Sequence, residues 1–255
     1  MTAPVCIDIS HHQGFPDFKK VAAAGVLGVI HKATEGSSYV DKNRATNCAA
    51  AKAVGLAVST YHWLSPGSSP SAQMDFYLRA IKPVRGERVI IDYEQAGCAI
   101  HELHEAVLAL INTKLDLRIA VYSGHLLKQQ IGNTVDTLLK TSTDLWLAQY
   151  TTGSPSWPIG TYTGWALWQY SDTGTLPGIT GAMVDFNRFN GTNEEFLRWI
   201  SPPDAGIGTL PDSIVQPQPK LEPGPEPAQQ IVTIEINAPP GVRVVTKIQQ
   251  RTVSD

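Results

Sequence analysis

Cysteine is scarce in this chain, and so is charge of either sign. Three cysteines, Cys6, Cys48 and Cys98, are spread over 255 residues. An odd number at such wide spacing forms neither a disulfide framework nor a zinc pattern, and the three read as buried, reduced thiols. Charged residues make up 17% and the formal net charge is −3, with no extended block of Lys or Arg. That excludes the basic footprint of a duplex nucleic-acid binder. No apolar run reaches the roughly 18 residues that a membrane span requires. Met1 to Ile9 lacks the basic region, apolar stretch and cleavage site of a secretory leader, so a product made in the cytoplasm is expected. No Gly-x-Gly-x-x-Gly or phosphate loop follows a strand, which disfavours a nucleotide fold. No Gly-x-Ser-x-Gly elbow offers a serine nucleophile. His-Glu-x-x-His and His-x-x-Glu-His are also missing, and the neighbours His11 and His12 face different ways on a loop. No metal and no cofactor is expected.

What is present is apolar material for a core, with hydrophobic residues at 42%. That balance rules out a wholly disordered chain. Composition changes after Ile200: eight of the thirty residues from Ser201 to Gln230 are proline, as in an extended, semi-rigid spacer. Beyond it Val232, Ile234 and Ile236 alternate with polar residues. Ala238-Pro-Pro-Gly241 supplies a turn, and Val242, Val244, Thr246 and Ile248 alternate again, which predicts a β-hairpin. A lone hairpin is marginal in water and would need to dock. The expected organisation is a domain over 1–200, a linker over 201–230 and an attachment or assembly element over 231–255.

Residues 1–200 alternate strand and helix. Strands are predicted at Val5–Ile9, Val26–Lys32, Leu56–His62, Arg88–Tyr93 and Arg118–Ser123. Helices are predicted at Asp17–Ala24, Lys42–Val54, Ser71–Ile81, His101–Leu115 and Leu126–Leu139. Three further strands, Leu145–Gln149, Ala166–Tyr170 and Val184–Phe189, lie between loops too short for proper helices, and Thr192 with Glu195 opens a last helix through a capping box. Such alternation implies α/β architecture with a parallel sheet and right-handed crossovers. Eight strands in this length suggest a TIM-like closed barrel, slightly undersized because its last repeats lack helices.

In such a barrel the chemistry sits where the strands end. Those ends carry Asp8, Lys32 with Glu35, Tyr61-His62-Trp63, Asp92-Tyr93-Glu94, Tyr122, Gln149-Tyr150, Trp168-Gln169-Tyr170 and Asp185-Phe186-Asn187. Asp92 and Glu94 are two apart, so on a strand they share a face. Two carboxyls held close after the apolar Val89-Ile90-Ile91 cannot both ionise freely. A neutral acid beside an ionised carboxylate is what glycosidic cleavage requires. The plainer reading pairs them with Lys32, Arg88 or Arg118; convergence of Asp8 and Asp185 on the same rim favours the functional one. Trp63, Trp157, Trp165 and Trp168, with Tyr61, Tyr93, Tyr122 and Tyr150, offer flat faces for sugar rings, two or three of them in actual contact. Gln149 and Gln169 could bond sugar hydroxyls or an acetamido group. His62 reads as a hydrogen-bonding residue of the site wall, and His31 as a satisfied core histidine.

Asp8-Ile-Ser10, Lys32-Ala-Thr-Glu-Gly36, Tyr61-His-Trp63, Asp92-Tyr-Glu94, Trp146-Leu-Ala-Gln-Tyr150, Trp168-Gln-Tyr170 and Val184-Asp-Phe-Asn187 resemble, in order and spacing, glycoside hydrolase family 25, the Chalaropsis-type lysozymes that include many phage endolysins. The resemblance spans about residues 4–200. It implies a (β/α)5(β)3 barrel and N-acetylmuramidase activity on the β-1,4 bond between N-acetylmuramic acid and N-acetylglucosamine in peptidoglycan glycan strands. It further implies Glu94 as general acid, with Asp92 orienting the acetamido group or stabilising the intermediate. Asp8 and Asp185 would complete an acidic floor, and Tyr61 and Tyr122 would line the cleft. His11-His12 departs from the aromatic that many members carry there. The tail does not match the wall-binding modules common in the family, and its expected role is self-association or attachment to a phage particle. Without a leader, such a lysin would reach the wall through a holin, lysis or particle delivery. The alternatives are a non-catalytic glycan-binding module and a phage structural component.

Overall fold

A computed structural model describes residues 4–180 and 182–202. The expected linker beyond 202 and the hairpin at 231–255 lie outside the described residues. Strands β1 (Cys6–Ile9), β2 (Gly28–Glu35), β4 (Ala57–Trp63), β5 (Arg88–Asp92), β6 (Arg118–Ser123), β7 (Thr143–Ala148), β8 (Leu167–Gly174) and β9 (Val184–Phe189) pair in that order, and β1 pairs with both β2 and β9. The sheet therefore closes on itself as an eight-stranded barrel. The two-residue β3 (Tyr39–Val40) hangs on the end of β2 as a short hairpin.

The expectation of a wholly parallel sheet fails at one strand. β9 runs antiparallel to β8 and to β1. A parallel return needs a long crossover, usually a helix, and none is formed by the described residues between Gly174 and Val184. The chain there turns back directly. The predicted helix over Leu126–Leu139 is also two helices, α5 (His125–Ile131) and α6 (Thr137–Ser142). Gly132 breaks it with φ of 48°, and Asp136 restarts it by accepting from the Leu139 amide at 3.0 Å. The helix predicted to run to Leu115 stops at Ile111, before the left-handed residues Lys114 and Asp116.

Strand alternation sorts the core into two sides. Inside the barrel, Cys6, Ile30, Ile90, Ala120, Trp146 and Leu167 meet Phe196, Trp199 and Ile200 of the last helix, α7 (Asn193–Ile200). α7 thus plugs one end of the lumen. Gly28 is required there: a Cβ at this position would lie 2.7 Å from the Phe196 ring. Outside, α1 (Phe18–Ala23) and α2 (Arg44–Ala53) cover Ile7, Ile9 and Val29. α3 (Pro70–Ile81) and α4 (Ile100–Ile111), with α5 and α6, cover Val89, Ile91, Val121, Leu145 and Leu147. His31 is the satisfied core histidine expected of it, with Nδ1 2.7 Å from the Lys32 carbonyl and Nε2 3.1 Å from Asn47 Nδ2. With one end sealed, the opposite end, where the parallel strands finish, is left to form a cleft.

Candidate active site

Register carries the inward face around the barrel. Asp8 lies opposite Asp185; Trp63 opposite Asp92; Asp92 opposite Tyr122; and Tyr122 opposite Trp146. Gln169 lies opposite Asn187. A β-bulge at Ala33 shifts the register of β2 against β4. Its effect is to put both Lys32 and Glu35 in the cleft while Thr34 turns outward. The resulting cleft, of about 580 Å³, is lined by Asp8, Asp92, Glu94 and Asp185 together with Glu35, Tyr61, Trp63, Tyr122 and Gln169. These are nine of the residues anticipated from sequence.

The four carboxyls occupy different surroundings. Asp92 ends β5 and is only 5% exposed, and its Oδ1 has no hydrogen-bond partner. Burial, and next the charge of Glu94, push its carboxyl well above the usual range. Glu94 follows two residues later, past Tyr93, and stands exposed at the rim. Its carboxyl end turns into the cleft, where partial desolvation and then Asp185 raise it, while Lys32 pulls the other way. Asp8 is buried and receives amide donors: Asn187 Nδ2 at 2.7 Å, and Gln169 Nε2 at 3.1 Å to each oxygen. Burial and the Asp185 charge nevertheless hold Asp8 well above its ordinary value. Asp185 is raised as well, by desolvation first.

The simple ion-pair reading of Asp92 and Glu94 does not hold among the described residues. Lys32 Nζ pairs with Glu35 at 2.6 Å. Arg88 lies at the plugged end, 2.8 Å from Asp144, with its guanidinium over the Trp199 ring. Arg118 donates to the carbonyls of Gly86, Arg198 and Ser201. The acid pair is left for something else. Among the described residues, no group of three or more His, Cys, Asp or Glu side chains is arranged to hold a metal ion.

Three anticipated residues are elsewhere. His62 is fully buried on the outer face, its Nδ1 2.8 Å from the Thr34 hydroxyl and its Nε2 3.2 Å from Gln73 Oε1 of α3. It belongs to the layer between barrel and helix, not to the site wall. Trp168 also points outward, packed against Trp165 and Tyr170 at centroid distances of 5.8 Å. Gln149 accepts from the Ser156 amide at 2.9 Å and does not line the cleft. Of the remaining aromatics proposed for stacking, Tyr150 lines the cleft, whereas Tyr93, Trp157 and Trp165 pack into the outer core.

In and beneath the cleft stand Lys32, Trp146 and Asn187, to which sequence reading gave no site role, and Tyr150, which it offered for stacking. Lys32 lies 4.8 Å from the Trp63 ring centroid. Tyr150 bonds Gln169 Oε1 at 2.8 Å. Trp146 Nε1 donates to Asn187 Oδ1 at 2.7 Å. Asn187 had a legible signal, since it is two residues from Asp185 on one strand. His12 sits at the cleft edge on a short 3-10 turn, His11–Gln13, that Ser10 caps. His11 is tied back to Asp41 through Nδ1 at 2.9 Å.

The chain matches the family described as glycosyl hydrolases family 25 over residues 7–179. It is 29% identical to Lysozyme M1 of Streptomyces globisporus over 209 residues, covering 75% of this chain and 69% of that one. The bacterial lysozyme from Streptomyces coelicolor superposes with a TM-score of 0.68 at 26% identity, covering 78% of this chain and 98% of that one. The CTP1L endolysin superposes with a TM-score of 0.63, also at 26% identity, over 76% of this chain and 68% of that one. With its barrel, its acidic cleft and these matches, the chain belongs to glycosyl hydrolase family 25 and is a glycosidase.

Proposed function

We propose that the cleft hydrolyses the β-1,4 bond between N-acetylmuramic acid and N-acetylglucosamine in peptidoglycan, with Glu94 as general acid. The observation that carries this assignment is the contrast within the Asp92/Glu94 pair. Glu94 is exposed at the rim, with a carboxyl raised by desolvation and Asp185, so it can hold a proton and reach a glycosidic oxygen. Asp92 is buried below it with one oxygen unpartnered, so that oxygen can accept from an acetamido N–H. Asp8 and Asp185 form the acidic floor. Tyr61, Trp63, Tyr122 and Tyr150 supply flat or hydroxyl-bearing walls to the sugar rings, and Glu35 and Gln169 supply polar contacts.

The likeness to an endolysin supports a lysin of phage or prophage that meets the wall after holin-type or particle delivery, with residues 231–255 as a means of self-association or attachment. Deleting 231–255 and measuring oligomeric state and wall retention tests that part; unchanged values for both would sink it.

The catalytic assignment is tested by reducing-end release from purified peptidoglycan with wild type and Glu94→Gln. Wild type should release muramic acid reducing ends, and the variant should be slower by about 10²-fold or more. If both proteins bind the wall and neither cleaves it, the barrel is a glycan-binding module instead.

A further inference from the structure

A chain of buried hydrogen bonds runs beneath the acidic floor, and its direction can be read from one group that only donates. An indole N–H has no acceptor capacity, so the Trp146 Nε1 contact at 2.7 Å makes Asn187 Oδ1 the acceptor. The Asn187 amide is thereby fixed with Nδ2 facing Asp8 Oδ2 at 2.7 Å. On the other side, the hydroxyls of Tyr122 and Tyr150 both meet Gln169 Oε1 at 2.8 Å. That leaves Gln169 Nε2 to donate to both oxygens of Asp8 at 3.1 Å. Asp8 is therefore surrounded by amide donors, whereas Asp185, its register partner on β9, is partly exposed and lines the cleft.

We propose that Asn187 and Gln169 are positioning residues for the reaction: they hold Asp8 as the ionised member of the Asp8–Asp185 pair and leave the pair's single proton on Asp185. Two carboxyls in contact cannot both ionise at neutral pH without strong repulsion. Amide donors favour the charged form of whichever carboxyl they reach, and here they reach Asp8. Asp185 then donates its O–H to Asp8 or turns it toward the sugar, a neutral donor above a fixed negative charge. The titratable groups facing Asp8 are Asp185, Asp92, Cys6 and the phenols of Tyr61, Tyr122 and Tyr150. None of these is a cation, and the ammonium of Lys32 is engaged by Glu35. Deeper burial by itself favours the neutral form of Asp8; the three amide hydrogen bonds are what oppose it.

This inference rests on the glycosidase reading only for its kinetic consequence. The direct test follows the carboxyl carbons of Asp8 and Asp185 by NMR through a pH titration, without substrate. In wild type near neutral pH, Asp185 should show the protonated shift and Asp8 the ionised one. Asn187→Leu should move the proton toward Asp8 and lower kcat about tenfold or more while changing KM less than about twofold, with the pH profile displaced. Trp146→Phe, which keeps a smaller ring and removes the donor that fixes Asn187, should act in the same direction but less. A protonated Asp8 beside an ionised Asp185 in wild type would overturn the proposal. So would variants that lose activity while both carbons titrate where they did before, since that is the mark of a merely structural role. A wild type that titrates as expected but cleaves no glycan would count against the muramidase reading alone.

Discussion

The Nζ of Lys32 lies 2.6 Å from Glu35 Oε2 and 4.8 Å from the centre of the Trp63 ring, and all three residues line the cleft. The bulge at Ala33 makes this contact possible, because regular alternation would send Lys32 and Glu35 to opposite faces of β2. The ammonium pulls down both Asp92 and Glu94 against the burial that raises them. Replacing it by Met should therefore raise Glu94 further. A general acid that holds its proton to higher pH keeps working to higher pH, so the alkaline limb of kcat/KM for Lys32→Met should move upward. An unmoved or lowered alkaline limb would show that Lys32 does not tune the acid pair.

That lysine shows why some of the site was legible in the sequence and some was not. Strand ends and alternation brought Asp8, Asp92, Asp185, Tyr61 and Tyr122 to one rim, because inward positions on adjacent strands follow from a period of two. The same period places His62 and Trp168 outward, each lying beside an inward residue, Tyr61 and Gln169. Nearness to a strand end was the weaker guide, and the face was the stronger. The bulge at Ala33 leaves no mark in the pattern, so the pairing of Lys32 with Glu35 could not be read. Strand direction is also absent from alternation: Val184–Phe189 has the same periodicity whether it runs with β8 or against it. Only the missing helix before it favours the antiparallel return.

Asp92 is held in a state that folding opposes. Its carboxyl is buried, one oxygen lacks a partner, and burial followed by Glu94 raises it well above the ordinary value. A raised folded-state value means that the folded chain keeps its proton when the unfolded chain has lost it. Stability from this group is therefore intact in acid and declines as pH rises above the ordinary carboxylate range near 4. Asp92→Asn removes that decline. The variant should melt higher than wild type at neutral pH, by about 2–4 °C for each kcal/mol recovered, and the gain should shrink toward zero as the pH falls to about 4. Activity should drop by orders of magnitude, as expected where a site is built at the expense of stability. A variant no more stable at pH 7 than at pH 4, relative to wild type, would refute the account of Asp92 as a strained, buried acid.

His62 should give the opposite dependence. It is neutral in the fold: Nε2–H donates to Gln73 Oε1 and Nδ1 accepts from the Thr34 hydroxyl. Gln73 is itself locked, accepting from the Ser65 amide and donating to the Ser65 and Ser68 carbonyls, which fixes Oε1 toward His62 and so fixes the Nε2–H tautomer. Burial lowers His62 to about 4. A histidine depressed in the fold takes up its proton first in the unfolded chain. Its contribution is therefore complete above about pH 6.5 and is lost as the pH falls from there toward the folded value, on the order of 3 kcal/mol in all. His62→Gln should cost about 1–3 kcal/mol at pH 7 through lost packing and hydrogen bonds. The gap to wild type should then narrow steadily in acid, while KM for glycan at neutral pH stays unchanged because the residue does not reach the cleft. Denaturant melts of the two proteins that remain parallel between pH 7 and pH 5 would show that His62 is not the group that titrates, and a raised KM would return it to the site wall.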